Sequence, residues 1–299
     1  MTVPDSPGEV FDVVSADGTV VAGWRNGSEA AGPPVVIAGG LGTVPQTWPS
    51  LLTEDCGFRV SSWYYRGTFG TQRPSDPTHI RIDDHVDDLI ALMDHEGIER
   101  AVVPCWSMGV NIAFEAAMRH PDRIAGLLAV AGVPGGTFRS MGAPLAIPRP
   151  LRHIVGVTGA RVLRLAAPLI NPITAAIPAT PRTAWLLSHS GFIMPSADQD
   201  DLVATLQAFL KHDFGWYFTL ALGLADHAPM DLSFVTVPTT LVAGRYDILT
   251  AAADMLDAST QIPDALVSLL PGSHFLPLEF PGEIHRLLTE LVARVDLAS

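Results

Sequence analysis

Short apolar runs alternate with segments of helical spacing along most of the chain, the pattern of a parallel sheet wrapped by helices. Residues 34–38, 100–104, 124–131, 239–244 and 265–270 are apolar runs bounded by Gly, Pro or polar residues, and they predict buried strands. Residues 8–26 predict an initial hairpin that turns at Ala16-Asp17-Gly18. Helical spacing covers 82–96, 110–118 and 284–295, the first with its acidic residues early, where they suit the helix dipole. Between Gly132 and about Pro238 the alternation stops. That stretch is rich in Pro, Ala, Leu and Ile, with helical patches and no convincing strand. The expected organisation is an α/β core in two parts, 1–132 and 235–299, interrupted by a helical insertion over 133–234.

The chemistry gathers at strand ends. Cys105-Trp106-Ser107-Met108-Gly109 joins the run 100–104 to the helix 110–118. A serine on a sharp strand-to-helix turn exposes its Oγ above the sheet and aims the next backbone N–H at a developing oxyanion. The turn needs small neighbours because strand and helix nearly touch; Cys105 and Gly109 supply them. A serine after a strand is also a favoured helix cap, so partners decide. Asp247 follows the run 239–244, and His274 follows the run 265–270. In an open parallel sheet the loops at the C-terminal strand ends collect on one edge, where distant residues meet.

The order Ser107, Asp247, His274, together with the turn motif, resembles the α/β-hydrolase superfamily over nearly all of the chain outside the insertion. The resemblance implies a mostly parallel sheet flanked by helices, a Ser-His-Asp triad, and no cofactor or metal. It also implies an oxyanion hole from the backbone N–H groups of Leu41 and Met108. The loop Gly39-Gly40-Leu41-Gly42 resembles the family's His-Gly-x-Gly with Gly39 in place of the histidine, which removes the side chain that usually braces the loop. Tyr64-Tyr65-Arg66-Gly67-Thr68-Phe69-Gly70-Thr71 resembles a family segment that shapes the loop after a strand, with Tyr64 for its aspartate and Thr71 for its serine. The implied activity is hydrolysis of carboxylic esters with a hydrophobic part, through an acyl-enzyme on Ser107. The substrate pocket would include Gly40 and Trp106, and the insertion would be a lid. Thioesterase or acyltransferase, cofactor-free haloperoxidase, carbon–carbon hydrolase and small-ligand receptor are alternatives with the same residues. An aspartate-based epoxide hydrolase is disfavoured by the serine.

Composition narrows the partners. The chain has 299 residues and a net charge of −13, which excludes a nucleic-acid footprint. Two cysteines, Cys56 and Cys105, make no disulfide framework, and the N-terminus has no basic or apolar leader pattern; a cytoplasmic location is expected. The histidines other than His274 lack metal-ligand spacing, and Asp83, Asp84, Asp87 and Asp88 suggest a solvated helix face. One region breaks the acidic average. From 124 to 197 there is no Asp or Glu, while Arg139, Arg149, Arg152, Arg161, Arg164 and Arg182 lie inside it. Positive charge is therefore expected over the site mouth, where it would touch an anionic substrate or a membrane surface. The stretch 154–177 is too interrupted by arginine and proline to suggest a membrane span.

Overall fold

The computed structural model describes residues 8–27, 29–142 and 147–298. The first seven residues, on which the expected absence of a leader pattern partly rests, lie outside them. Eight strands form one sheet in the order β1-β2-β4-β3-β5-β6-β7-β8. The hairpin β1 (Glu9–Val14) and β2 (Val20–Arg25) pairs antiparallel, with Val14 opposite Val20. β2 is antiparallel to β4 (Arg59–Trp63), and every later pairing is parallel: β3 (Pro34–Ile37), β5 (Ala101–Trp106), β6 (Ile124–Val130), β7 (Thr239–Gly244) and β8 (Leu266–Leu270).

The central strands are apolar on both faces because both faces are covered. β5, β6 and β7 are buried at every position, as expected of parallel strands under helices. On one side Val36, Val103 and Cys105 pack with α1 (Ile82–His95), α2 (Met108–Arg119) and α8 (Ala252–Ser259). On the other, Val35, Val102 and Trp106 pack with Leu288 and Leu291 of α10 (Pro281–Ala298). Between β6 and β7 the described residues hold helices and no strand: α3 (Thr137–Ser140), α4 (Arg149–Ala176), α5 (Pro181–Ser188), α6 (Gln199–Phe209) and α7 (Phe214–Gly223). A short helix α9 (Leu276–Glu279) precedes α10.

Two expectations change. Asp88 does not face water: it is buried and holds the Arg66 guanidinium at 2.7 and 2.9 Å. Arg66, also buried, further reaches Asp17 at 2.6 Å, the Ser15 hydroxyl, and the carbonyls of His79 and Asp84. Burial pushes Asp17 up, but its hydrogen bonds from Thr19 and the Arg66 charge outweigh that and hold it at about 2. Thr71, which stands where the resembled segment has a serine, donates to the Tyr64 carbonyl and accepts from Ala22 N–H. The 64–71 segment thus pins the β4 end to α1 and the hairpin, as its structural reading requires. The second change is α4: the stretch that arginine and proline were expected to interrupt is one helix through Pro168 and Pro172, long and apolar enough by length and composition to cross a membrane and mostly exposed.

Candidate active site

The β5-to-α2 turn is as tight as its sequence suggests. Ser107 has φ 55° and ψ −115°, a region that costs a residue with a Cβ about 1–3 kcal/mol and persists only when the surroundings enforce it. Close approach enforces it here. A Cβ on Gly109 would lie 1.9 Å from the Ala38 carbonyl oxygen, so only glycine lets α2 start against β3. A Cβ on Gly132, just after β6, would lie 2.7 Å from the Ser107 carbonyl oxygen; that second constraint is invisible without the sheet order.

Three distant residues meet at this edge. His274 Nε2 lies 2.9 Å from Ser107 Oγ, and His274 Nδ1 lies 2.8 Å from Asp247 Oδ2. The other Asp247 oxygen accepts from the N–H groups of Leu249 at 2.7 Å and Thr250 at 2.8 Å. Asp247 and His274 are buried. His274 is held through its backbone as well: Trp106 Nε1–H donates to its carbonyl at 2.8 Å. Glu279, buried in α9, accepts from Ser273 N–H and Ser273 Oγ–H on one side and from Met194 N–H of the insertion on the other. Sequence reasoning missed Glu279; a carboxylate five residues past a histidine carries no local signal for it.

The loop after β3 faces Ser107. Neither Leu41 N–H nor Met108 N–H has an acceptor among the described residues, and Met108 opens α2, where N–H groups are left free by the helix itself. The brace lost with Gly39 is replaced. Tyr65 O–H donates to the Gly39 carbonyl, and Thr43 Oγ–H donates to the Gly40 carbonyl at 2.8 Å. Beneath this loop sits His212, its ring edge-on to Phe69 at 4.7 Å and against Tyr217. Its Nδ1–H donates to the Phe209 carbonyl, while Nε2 is buried without a partner beside Gly42. Burial, opposed only by hydrogen bonds to backbone, depresses its pKa to about 4. The ring is therefore neutral at pH 7.

Ser107 and His274 open into a cavity of about 270 Å³. Gly40, Leu41 and Trp106 line it on the sheet side; Phe192, Ile193, Leu202, Leu206, Phe209 and Tyr217 line it from the insertion. Besides Ser107, the hydroxyl-bearing residues of the lining are Thr43, Thr47, Thr205 and Tyr217. None of the six arginines in the insertion is among the lining residues. Arg149 instead pairs with Asp254 and Asp257, and Arg152 with Asp254, all on α8. The expected positive charge is thus absent from the cavity wall, which is apolar, and two of the six arginines meet carboxylates of the core.

Residues 33–281 match the model of the family described as alpha/beta hydrolase fold. Among curated proteins, the chain is 25% identical to "Epoxide hydrolase A" of Mycobacterium tuberculosis, over 90% of this chain and 93% of that one. It is 34% identical over 99 residues to a Caulobacter sp. (strain K31) protein provisionally named carbamate hydrolase RutD, a match that spans 33% of this chain and 37% of that protein. Among solved structures it resembles an enol-lactonase from Burkholderia xenovorans LB400 (TM-score 0.72, 19% identity, 95% of this chain and 100% of that one). It also resembles a thermophilic esterase from Thermogutta terrifontis (TM-score 0.70, 20% identity, 96% and 99%). At these identities the structural likenesses concern the fold.

Proposed function

The chain belongs to the alpha/beta hydrolase fold family, and from that premise we propose that it is a serine hydrolase of carboxylic esters with a compact hydrophobic part. The observation that carries this reading is the hydrogen-bonded run from Asp247 through His274 to Ser107 at the mouth of an apolar cavity. His274 Nε2 takes the Ser107 proton as Oγ attacks the acyl carbon. The tetrahedral oxyanion forms against Leu41 and Met108 N–H, and Asp247 stabilises the imidazolium. His274 then gives its proton to the leaving alcohol. Water, deprotonated by the same ring, releases the acid from Ser107. The helices over the cavity act as a lid that shields the acyl-enzyme from bulk water.

The nucleophile also limits the reaction type. A serine oxygen that opened an epoxide would form an ether, which water cannot resolve under these conditions; a carboxylate forms an ester, which it can. Similarity to a protein named epoxide hydrolase therefore extends to architecture and hydrolysis, while Ser107 calls for an sp² acyl carbon. Ester, thioester and carbamate carbonyls all meet that demand, and an apolar lining with few hydroxyls favours an ester. At about 270 Å³ the cavity falls at the small end of ligand sites, roughly 300–1,000 Å³, which favours short or medium acyl groups.

A series of nitrophenyl esters of increasing acyl length tests the proposal, together with a fluorophosphonate probe. Turnover should peak at intermediate length, the probe should label Ser107, and Ser107→Ala should lose both, with turnover down on the order of 10⁴- to 10⁶-fold. Undiminished hydrolysis by a folded Ser107→Ala protein would refute it.

A further inference from the structure

α4 is built inside out. Its 28 residues span about 42 Å at the α-helical rise, and it packs on α3 and α7. The face turned inward is made of small residues: Val157, Ala160 and Ala167 are buried, and a Cβ on Gly156 would strike the Phe138 ring. The large apolar side chains point the other way. Leu151, Ile154, Val162, Leu165, Leu169 and Ile173 are all exposed, Leu165 at 76% and Leu169 at 72%. At about 100° per residue these six fall within an arc of roughly 100°, a stripe along the helix in which Thr158 stands between Ile154 and Val162. α5 separately exposes Trp185 and Leu186. Contiguous apolar surface of this kind marks an interaction site.

We infer that the outer face of α4 docks the protein flat on an anionic lipid bilayer. The charges choose the occupant. Arg161 borders the stripe and Arg164 lies about 60° further round on the same side; both are exposed, and neither has a carboxylate partner among the described residues. No acidic residue occurs between 124 and 197 in a chain of net charge −13. An anionic surface therefore repels most of the molecule and attracts this face, which fixes the orientation. A second copy fits worse. Two-fold pairing about the middle of the stripe would set Arg161 and Arg164 against their own counterparts, with no acid in the segment to separate them. A spanning helix fits worse still, because the inner face is committed to α3 and α7. An apolar stripe edged by arginine on a helix that stays packed is the design of an interfacial helix. Neither Ser107 nor any substrate takes part in this docking.

Cosedimentation of the intact protein with vesicles tests it. Phosphatidylcholine vesicles are compared with vesicles in which about a third of the lipid is phosphatidylglycerol. Two surface arginines, each worth about five-fold near such a membrane, should make partitioning on the order of 25-fold stronger onto the anionic vesicles. That preference should shrink as salt shortens the screening length. Arg161→Gln with Arg164→Gln should abolish the preference and leave the unfolding midpoint unchanged. Val162→Ser, Leu165→Ser and Leu169→Ser together should abolish binding to both vesicle types. If that triple variant does not fold, the arginine pair still decides. Wild type that stays in the supernatant with both vesicles overturns the inference, as does anionic binding that survives the arginine substitutions. A lipid-free dimer that the triple variant dissociates would place a second copy on the stripe, and would also overturn it.

Discussion

Asp247→Asn isolates what the buried carboxylate does, because its two oxygens have different partners. Oδ1 accepts from Leu249 N–H and Thr250 N–H, while Oδ2 faces His274 Nδ1. The new amide has one oxygen and one NH₂ to fill those two places. With its oxygen toward the backbone donors, the NH₂ faces Nδ1 and demands a bare nitrogen there. The imidazole proton then sits on Nε2, where it blocks acceptance of the Ser107 proton. With the amide reversed, the ring keeps its productive tautomer, but two buried N–H groups lose their acceptor. Each such loss costs about 1–3 kcal/mol, so the productive arrangement lies about 2–6 kcal/mol above the unproductive one. At about 1.36 kcal/mol per factor of ten, kcat/KM should fall from about 30-fold to about 10⁴-fold. The assay is kcat/KM on the best ester of the series, with circular dichroism and an unfolding midpoint as the folding control. Asp247→Ala is the informative companion: it strands the same two N–H groups and should be less stable, but it locks no tautomer and should be at least as active as Asp247→Asn. A folded Asp247→Asn protein within about three-fold of wild type would refute both the tautomer argument and the assignment of the acid.

The buried ring of His212 makes the fold acid-sensitive. Its pKa is about 4 in the folded state against 6.5 as the unperturbed value, so below pH 6.5 the unfolded chain takes up a proton that the folded chain refuses. Stability from this group is complete above pH 6.5 and should be down by about 2.5 kcal/mol at pH 4.5. His212→Phe, which leaves the Phe209 carbonyl its bond from the residue 212 N–H, should remove that part of the slope in urea titrations; equal slopes would refute it. Asp88→Ala leaves the buried Arg66 charge with Asp17 as its remaining carboxylate and should cost about 3 kcal/mol of unfolding free energy, the low end for a broken buried pair; a loss under about 1 kcal/mol would show that water reaches the pair. Tyr65→Phe removes the donor to Gly39 and should lower kcat roughly 2- to 12-fold, the worth of one hydrogen bond of about 0.5–1.5 kcal/mol, with KM little changed. An unaltered kcat would mean that Thr43 alone braces the loop.

The strands that carry the site were legible because parallel strands under two helical layers are apolar at every position, and β5, β6 and β7 are buried throughout. With those strands placed, the loops bearing Ser107, Asp247 and His274 had one edge on which to meet. What stayed illegible depends on contacts between segments remote in sequence. Tyr65 supports Gly39 across 26 residues, and nothing in either local pattern joins them. Four aspartates in one turn and a half of α1 share a composition, and only the position of Arg66 decides that Asp88 is the one turned inward. Pro168 and Pro172 lie on the exposed side of α4, where water can solvate the carbonyls they leave without donors, so they interrupt its hydrogen bonds without ending the helix.

α4 shows a deeper limit of reading burial from hydrophobic periodicity. A periodic apolar face is ordinarily assigned to the core, because burying large side chains is the main driving term in folding. In α4 the requirement for close packing selects Gly and Ala at the inner positions, while the bulky residues recur at the same period on the outside. A one-dimensional pattern contains both faces and cannot say which is which. The arginines, taken alone, directed attention to the site mouth, whereas two of them turned out to be paired with α8 and none to line the cavity. Size segregation between the two faces, visible only once α7 and α3 are seen to cover the smaller side, is what separates a core helix from a helix that offers its larger apolar face to something outside the molecule.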